Sequence, residues 1–186
     1  MRHAIICTVG RSGSTLLMGL LNSQKGVLIT GENFNLLTSF HDAYQQISFT
    51  KALAAIGSES TDPWYGAYRL DVERFFENAG RTVHELLWSQ ADASVSLLGF
   101  KEIRWLSNDI GSRNLWGYLY FIERLLPDCH FILLTREIEQ VIQSGWWVRH
   151  PKQDLRWQIE TFHLLMRNAP VAKKFEIDYA ELADLG

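Results

Sequence analysis

The stretch TVGRSGSTLLMGLLNS, residues 8–23, follows directly on the apolar run AIIC at 4–7. Within it, residues 10–15 put two glycines, an arginine and three hydroxyl residues between one apolar segment and another. Core packing does not call for such a set. Gly10 and Gly13 can take positive φ and let the backbone approach a ligand closely. Successive N–H groups ahead of a helix point into a concavity, and the helix dipole adds positive potential there. Ser12, Ser14 and Thr15 add hydroxyl donors, and Arg11 adds a charged fork. The stretch therefore predicts an anion-binding loop between a strand and a helix. A strand-to-helix turn that needs glycine for its backbone alone is the plainer alternative.

The elements around it define the fold class. Residues 3–9 form a β-branched apolar run, as expected of a strand buried on both faces. A helix over 14–23 opens on Ser14 and Thr15, which are capping residue types. Further strands are predicted at 26–30, 94–100, 129–135 and 173–179. Helical segments are predicted over 34–56, 70–90 (interrupted near Gly80), 114–126, 137–148 and 153–168, with a loop at 57–66. Strands alternating with helices predict an α/β fold, a central parallel sheet of about four or five strands flanked by helices. In such a sheet all strand C-termini lie on one edge, where ligands bind.

That edge collects charged residues. The loop follows the first predicted strand, Glu32 the second, Lys101 the third and Arg136 the fourth. One phosphate-type loop, two cations and a carboxylate are thereby expected on one rim. The loop is not a Walker A sequence, which requires GxxxxGK followed by Ser or Thr. Thr8 stands at the first glycine and Ser14 at the lysine.

Composition sets the outer limits. The chain has 186 residues, 47% of them hydrophobic and 21% charged, which suits one globular domain. A net charge of −3 argues against a nucleic-acid partner. Cys7 and Cys129 each lie in a predicted strand and are expected to be buried, reduced thiols. The six histidines show no metal-ligand spacing, and no metal is expected. The opening MRHAIICTVGRSG is not a secretory signal, and no run approaches the ~20 apolar residues of a membrane span. A soluble, cytoplasmic protein is the expectation, with oligomeric state left open.

Four segments together resemble the sulfotransferases that use 3′-phosphoadenosine 5′-phosphosulfate (PAPS). GRSGSTLL at 10–17 is similar to their 5′-phosphosulfate loop. FILLTREIEQVIQSGWW at 131–147 is similar to their second signature, in which an Arg closes a strand and a Ser follows eight residues later. GEN at 31–33 and GFKEIRW at 99–105 complete the likeness. The pattern most resembles the bacterial carbohydrate type, such as trehalose sulfotransferases. The resemblance implies a single sulfotransferase-like domain over 1–186, of P-loop NTPase-like fold. It implies PAPS as donor and a hydroxyl of a carbohydrate or small molecule as acceptor.

The same resemblance implies roles. Gly10, Arg11, Ser12, Gly13, Ser14 and Thr15 would hold the 5′-phosphosulfate, and Arg136 with Ser144 the 3′-phosphate. Glu32 would be the general base and Lys101 would neutralise charge at the transferred group. Glu102 is a weaker alternative base. Cytosolic members carry Lys-x-His where this chain has Lys101 and Ile103, so Glu32 takes over the basic role. DYAEL at 178–182 carries Ala180 where the family has Glu, and the C-terminus is short. Two other expectations stay open: a non-catalytic or degenerate nucleotide-binding module, suggested by that C-terminus, and a nucleotide-dependent kinase with a degenerate loop.

Overall fold

The computed structural model describes residues 1–54, 59–110 and 114–183. In chain order the elements are β1 (Arg2–Cys7), α1 (Ser14–Asn22), β2 (Val27–Thr30), α2 (Leu36–Leu53), α3 (Val72–Trp88) and β3 (Leu97–Glu102). They continue with α4 (Ser107–Ile110), α5 (Leu115–Leu125), β4 (Cys129–Thr135), α6 (Ile138–Ile142), α7 (Lys152–Arg167), β5 (Lys174–Asp178) and α8 (Tyr179–Ala183). Short 3₁₀ turns cover Ala67–Arg69 and Gly145–Arg149.

The backbone divides into two compact units. One joins Met1–Asn35 to Gln90–Gly186, and the other is Leu36–Ser89. The smaller unit holds α2 and α3. Asp71 caps α3 by accepting from the Arg74 amide at 3.1 Å. Tyr44 of α2 packs on Phe76 of α3 with ring centroids 5.2 Å apart. Gly80 does not interrupt α3, contrary to the sequence expectation. A single helical glycine costs only about 1 kcal/mol against alanine, which the surrounding turns absorb. The expected end of α2 near 56, and the first two residues of the expected loop at 57–66, lie outside the described residues.

The larger unit is built on one five-stranded sheet in the order β2-β3-β1-β4-β5. Every pairing is parallel. β1 sits at the centre, and its residues from His3 to Cys7 are all buried. This is why its sequence runs apolar without alternation. Ala4, Ile6, Leu17, Ile29 and Leu134 form a core between the sheet and α1. Cys7 and Cys129 are buried and unbonded to each other, and burial pushes both thiols up.

β3 departs from the sequence reading. It starts three residues later than expected and runs through Lys101 to Glu102, pairing Ile6 with Lys101 and Cys7 with Glu102. Both charged residues are more than nine-tenths buried. They are tolerated because each has charged or amide partners, described below.

Within β3, Gly99 faces the Ala4 carbonyl of β1 so closely that a Cβ would overlap it, and would lie 2.7 Å from Ile29 Cδ1. Backbone cannot yield as a side chain can. Gly99→Ala is therefore expected to destabilise the protein by about 1–3 kcal/mol, the usual cost of overpacking. Urea unfolding measures this directly. A wild-type midpoint would mean that β1 and β3 do not approach as described.

Candidate active site

In the order β2-β3-β1-β4-β5, chain direction away from β1 reverses between β3 on one side and β4 on the other. Such a switch point opens a crevice at the strand C-termini. Here it is a cavity of about 260 Å³ lined by Gly10, Arg11, Gly13, Ser14, Thr15, Glu32, Lys101, Ile103, Arg136 and Trp146. Each strand-end residue expected on the rim is thus brought to one cavity.

The loop after β1 differs in detail from the expectation. Gly13 takes φ +93° and is the N-cap of α1, while Arg11, not Gly10, supplies the second positive φ at +72°. No side chain caps α1, so Ser14 and Thr15 are its first helical residues and not its caps. The Leu16 and Leu17 amides donate to the Gly13 carbonyl, and no side chain caps the donors ahead of them. Ser12 is buried, and its Oγ has no hydrogen-bond partner among the described residues. Gly10 is glycine for a different reason from φ: the indole of Trp146 occupies the space where a Cβ would stand. Trp147 donates from Nε1 to the Gly10 carbonyl at 2.8 Å and so fixes the loop from the other side.

Arg136 follows β4 directly. Its Nη1 donates to the Arg11 carbonyl at 3.1 Å and its Nε to Gln140 Oε1 at 3.1 Å. Its guanidinium lies 4.4 Å from the ring centroid of Tyr179, a cation–π distance. The same tyrosine ring fills the place of a Cβ on Gly13. Ser144 accepts from Arg11 Nε at 3.0 Å. Arg136, Ser144 and the loop therefore converge on Arg11. The expected helix over 137–148 is not continuous: α6 ends at Ile142, and Ser144 leads into a 3₁₀ turn. Gly145 at φ +60° breaks the run and turns Ser144 toward the loop.

Across the cavity, Glu32 sits two residues past β2. It accepts from Lys101 Nζ at 2.7 Å on one oxygen and from Arg104 Nη1 at 2.9 Å on the other. Burial pushes its carboxyl up, but hydrogen bonds from Lys101 and Arg104 outweigh that, leaving it below the ordinary value. Glu102 points away from Glu32's cavity and is 1% exposed. Its Oε1 accepts from the Ile103 and Arg104 amides and from Arg104 Nη1, and its Oε2 from the Asn35 amide. A carboxylate so enclosed cannot reach a substrate, which removes it as an alternative base.

Sequence reading missed two contributors: Arg104, which ties Glu32 to Glu102, and Tyr179, which supports both Gly13 and Arg136. Neither lies at a spacing that signals a role. Trp105, one residue beyond Arg104, belongs to the core. It stacks on Phe162 at 6.3 Å and donates to the Glu102 carbonyl at 2.8 Å.

A parallel sheet in this order, with a glycine-rich loop leading from its central strand into α1, defines an α/β fold of the P-loop NTPase-like kind. A sequence profile of the Sulfotransferase family matches residues 4–184. The chain belongs to the sulfotransferase family. Solved structures similar to it include a sugar kinase from Janibacter sp. HTCC2649, at 16% identity and TM-score 0.45, covering 100% of this chain and 91% of that one. A gluconokinase from Sinorhizobium meliloti 1021 has 14% identity and TM-score 0.44, covering 98% and 86%. A thymidylate kinase from Candida albicans has 12% identity and TM-score 0.45, covering 99% and 88%. No curated protein matches the chain. Among the described residues, no helix is long and apolar enough to cross a membrane.

Proposed function

We propose that the protein transfers a sulfonate from PAPS to a hydroxyl of a carbohydrate or small-molecule acceptor. One observation carries the reading. A single cavity joins an uncapped helix start, two cations from the strands on either side of β1 and a carboxylate held below its ordinary pKa. Family membership supplies the class of chemistry.

The residues suit the donor. The first amides of α1, which no side chain caps, the buried Ser12 hydroxyl, Ser14, Thr15 and Arg11 match the oxygens of a 5′-phosphosulfate. Arg136, with Ser144, is assigned to the 3′-phosphate. In the reaction the acceptor oxygen attacks sulfur while Glu32 takes its proton. The bond from sulfur to the 5′-phosphate oxygen breaks, and adenosine 3′,5′-bisphosphate departs with the electron pair. Lys101 offsets charge developing on the bridging oxygen. Preorganised donors of this kind are usually the largest catalytic contribution.

Thermal unfolding tests the donor assignment without knowledge of the acceptor. A ligand at 100 times its Kd stabilises by about 2.7 kcal/mol. Adenosine 3′,5′-bisphosphate should raise Tm well above the shift given by AMP, with EDTA present. A larger shift from ATP with Mg²⁺ and none from the bisphosphate would overturn the donor assignment in favour of kinase chemistry.

A further inference from the structure

Glu32 is held by two cations of different standing. Lys101 reaches it with one flexible ammonium at 2.7 Å. Arg104 reaches it at 2.9 Å with the same Nη1 that bonds Glu102 at 3.0 Å. Glu102 is itself fixed by three backbone amides. The Arg104 backbone is also secured, since its carbonyl accepts from Asn35 Nδ2 at 2.7 Å. On its other face the guanidinium lies 4.4 Å from the ring centroid of Phe34. Phe34 and Asn35 both adopt positive φ, at +58° and +57°. Neither is glycine, and this conformation costs roughly 1–3 kcal/mol per residue. The segment after Glu32 is thus bent to meet Arg104 and Glu102.

From this geometry we infer that Arg104 is the positioning residue for Glu32: it keeps the carboxylate in place when an anionic donor draws Lys101 away. The inference rests on Glu32 being the base. An incoming sulfonate adds negative charge beside Lys101, Arg11 and Arg136, all of which line the cavity. Lys101 has a long stem free to follow that charge. Arg104 cannot follow without giving up its ion pair with buried Glu102, a costly exchange. Glu32 therefore keeps one fixed partner through the reaction. The ionisable groups bearing on it are Lys101 and Arg104 directly, Glu102 through Arg104, and Arg11 and Arg136 across the cavity. Asp109, whose carboxyl burial pushes up, lies within electrostatic reach of Arg104.

The test compares Arg104→Met and Arg104→Lys with Glu32→Gln in the full chain. The readouts are adenosine 3′,5′-bisphosphate affinity, PAPS turnover with the best acceptor of a saccharide panel, and titration of the Glu32 carboxyl by ¹³C NMR. Glu32→Gln assigns the resonance. Arg104→Met should lower kcat by about 10²-fold, the scale of misplacing a catalytic group by an ångström. Its bisphosphate affinity should stay near wild type, and the Glu32 titration should move to higher pH. Arg104→Lys should restore part of kcat and of the titration shift. Since three amides still hold Glu102, Arg104→Met is expected to fold; if it does not, Arg104→Lys carries the comparison alone. Inactive Glu32→Gln beside an Arg104 variant with wild-type kcat and titration overturns this inference alone. Wild-type turnover in Glu32→Gln overturns the base assignment and this inference with it.

Discussion

Glu32→Gln should lower PAPS-dependent turnover by about 10²- to 10⁴-fold, the span of general-base catalysis. Binding of adenosine 3′,5′-bisphosphate should stay close to wild type, because Glu32 lies opposite the loop and Arg136 in the cavity. The amide still accepts one hydrogen bond from Lys101 or Arg104 but takes no proton. The pH dependence follows from the same contacts. Burial raises the Glu32 carboxyl, and the Lys101 and Arg104 hydrogen bonds lower it further than burial raises it. A base is competent only when ionised, so the rate should persist below the usual carboxylate range. It should then be lost as pH falls through the depressed value. Steady-state kinetics from acid to neutral pH measure this limb. A variant that turns over at the wild-type rate would move the base elsewhere.

Arg136→Ala should weaken adenosine 3′,5′-bisphosphate binding by roughly 10- to 100-fold, the equivalent of one lost hydrogen-bonded charge contact. The loss has two sources. The guanidinium itself is assigned to the 3′-phosphate. It also holds the Arg11 carbonyl at 3.1 Å, which steadies the loop's positive-φ residue. Arg136→Lys should recover only part, since an ammonium cannot at once lie over Tyr179 and donate to both Gln140 and Arg11. Calorimetry distinguishes these cases, and unchanged affinity in Arg136→Ala would take the 3′-phosphate away from this residue.

The central strands were legible because burial on both faces leaves no room for polar residues: β4 occupies residues 129–135 as its sequence implies. The rim was legible for a related reason. In a parallel sheet the residue after each strand must lie on one edge, so Glu32 and Arg136 were placed by topology alone. What failed was the inference from charge to strand end. The strand was expected to stop at Lys101, yet Lys101 and Glu102 both sit inside β3 because Glu32, Arg104 and three amides satisfy them. Those partners are invisible in a linear reading. Arg104 and Glu32 are 72 positions apart, and a lone arginine after a strand carries no periodic signal. The loop conformation was half read. Glycine was correctly required at Gly13, but the second left-handed residue is Arg11, whose strain is offset by contacts with Arg136 and Ser144.

The ring of Tyr179 against Gly13 and beneath Arg136 bears on the order in which the protein matures. On the ribosome, α1 and its loop emerge early, whereas the residue that braces them is made only after β5. Until that edge strand docks beside β4, the cradle lacks one wall and its arginine has no aromatic floor. The shape of the loop is thereby tied to completion of the sheet, and a nascent chain with four strands in place would still hold an unfinished cavity.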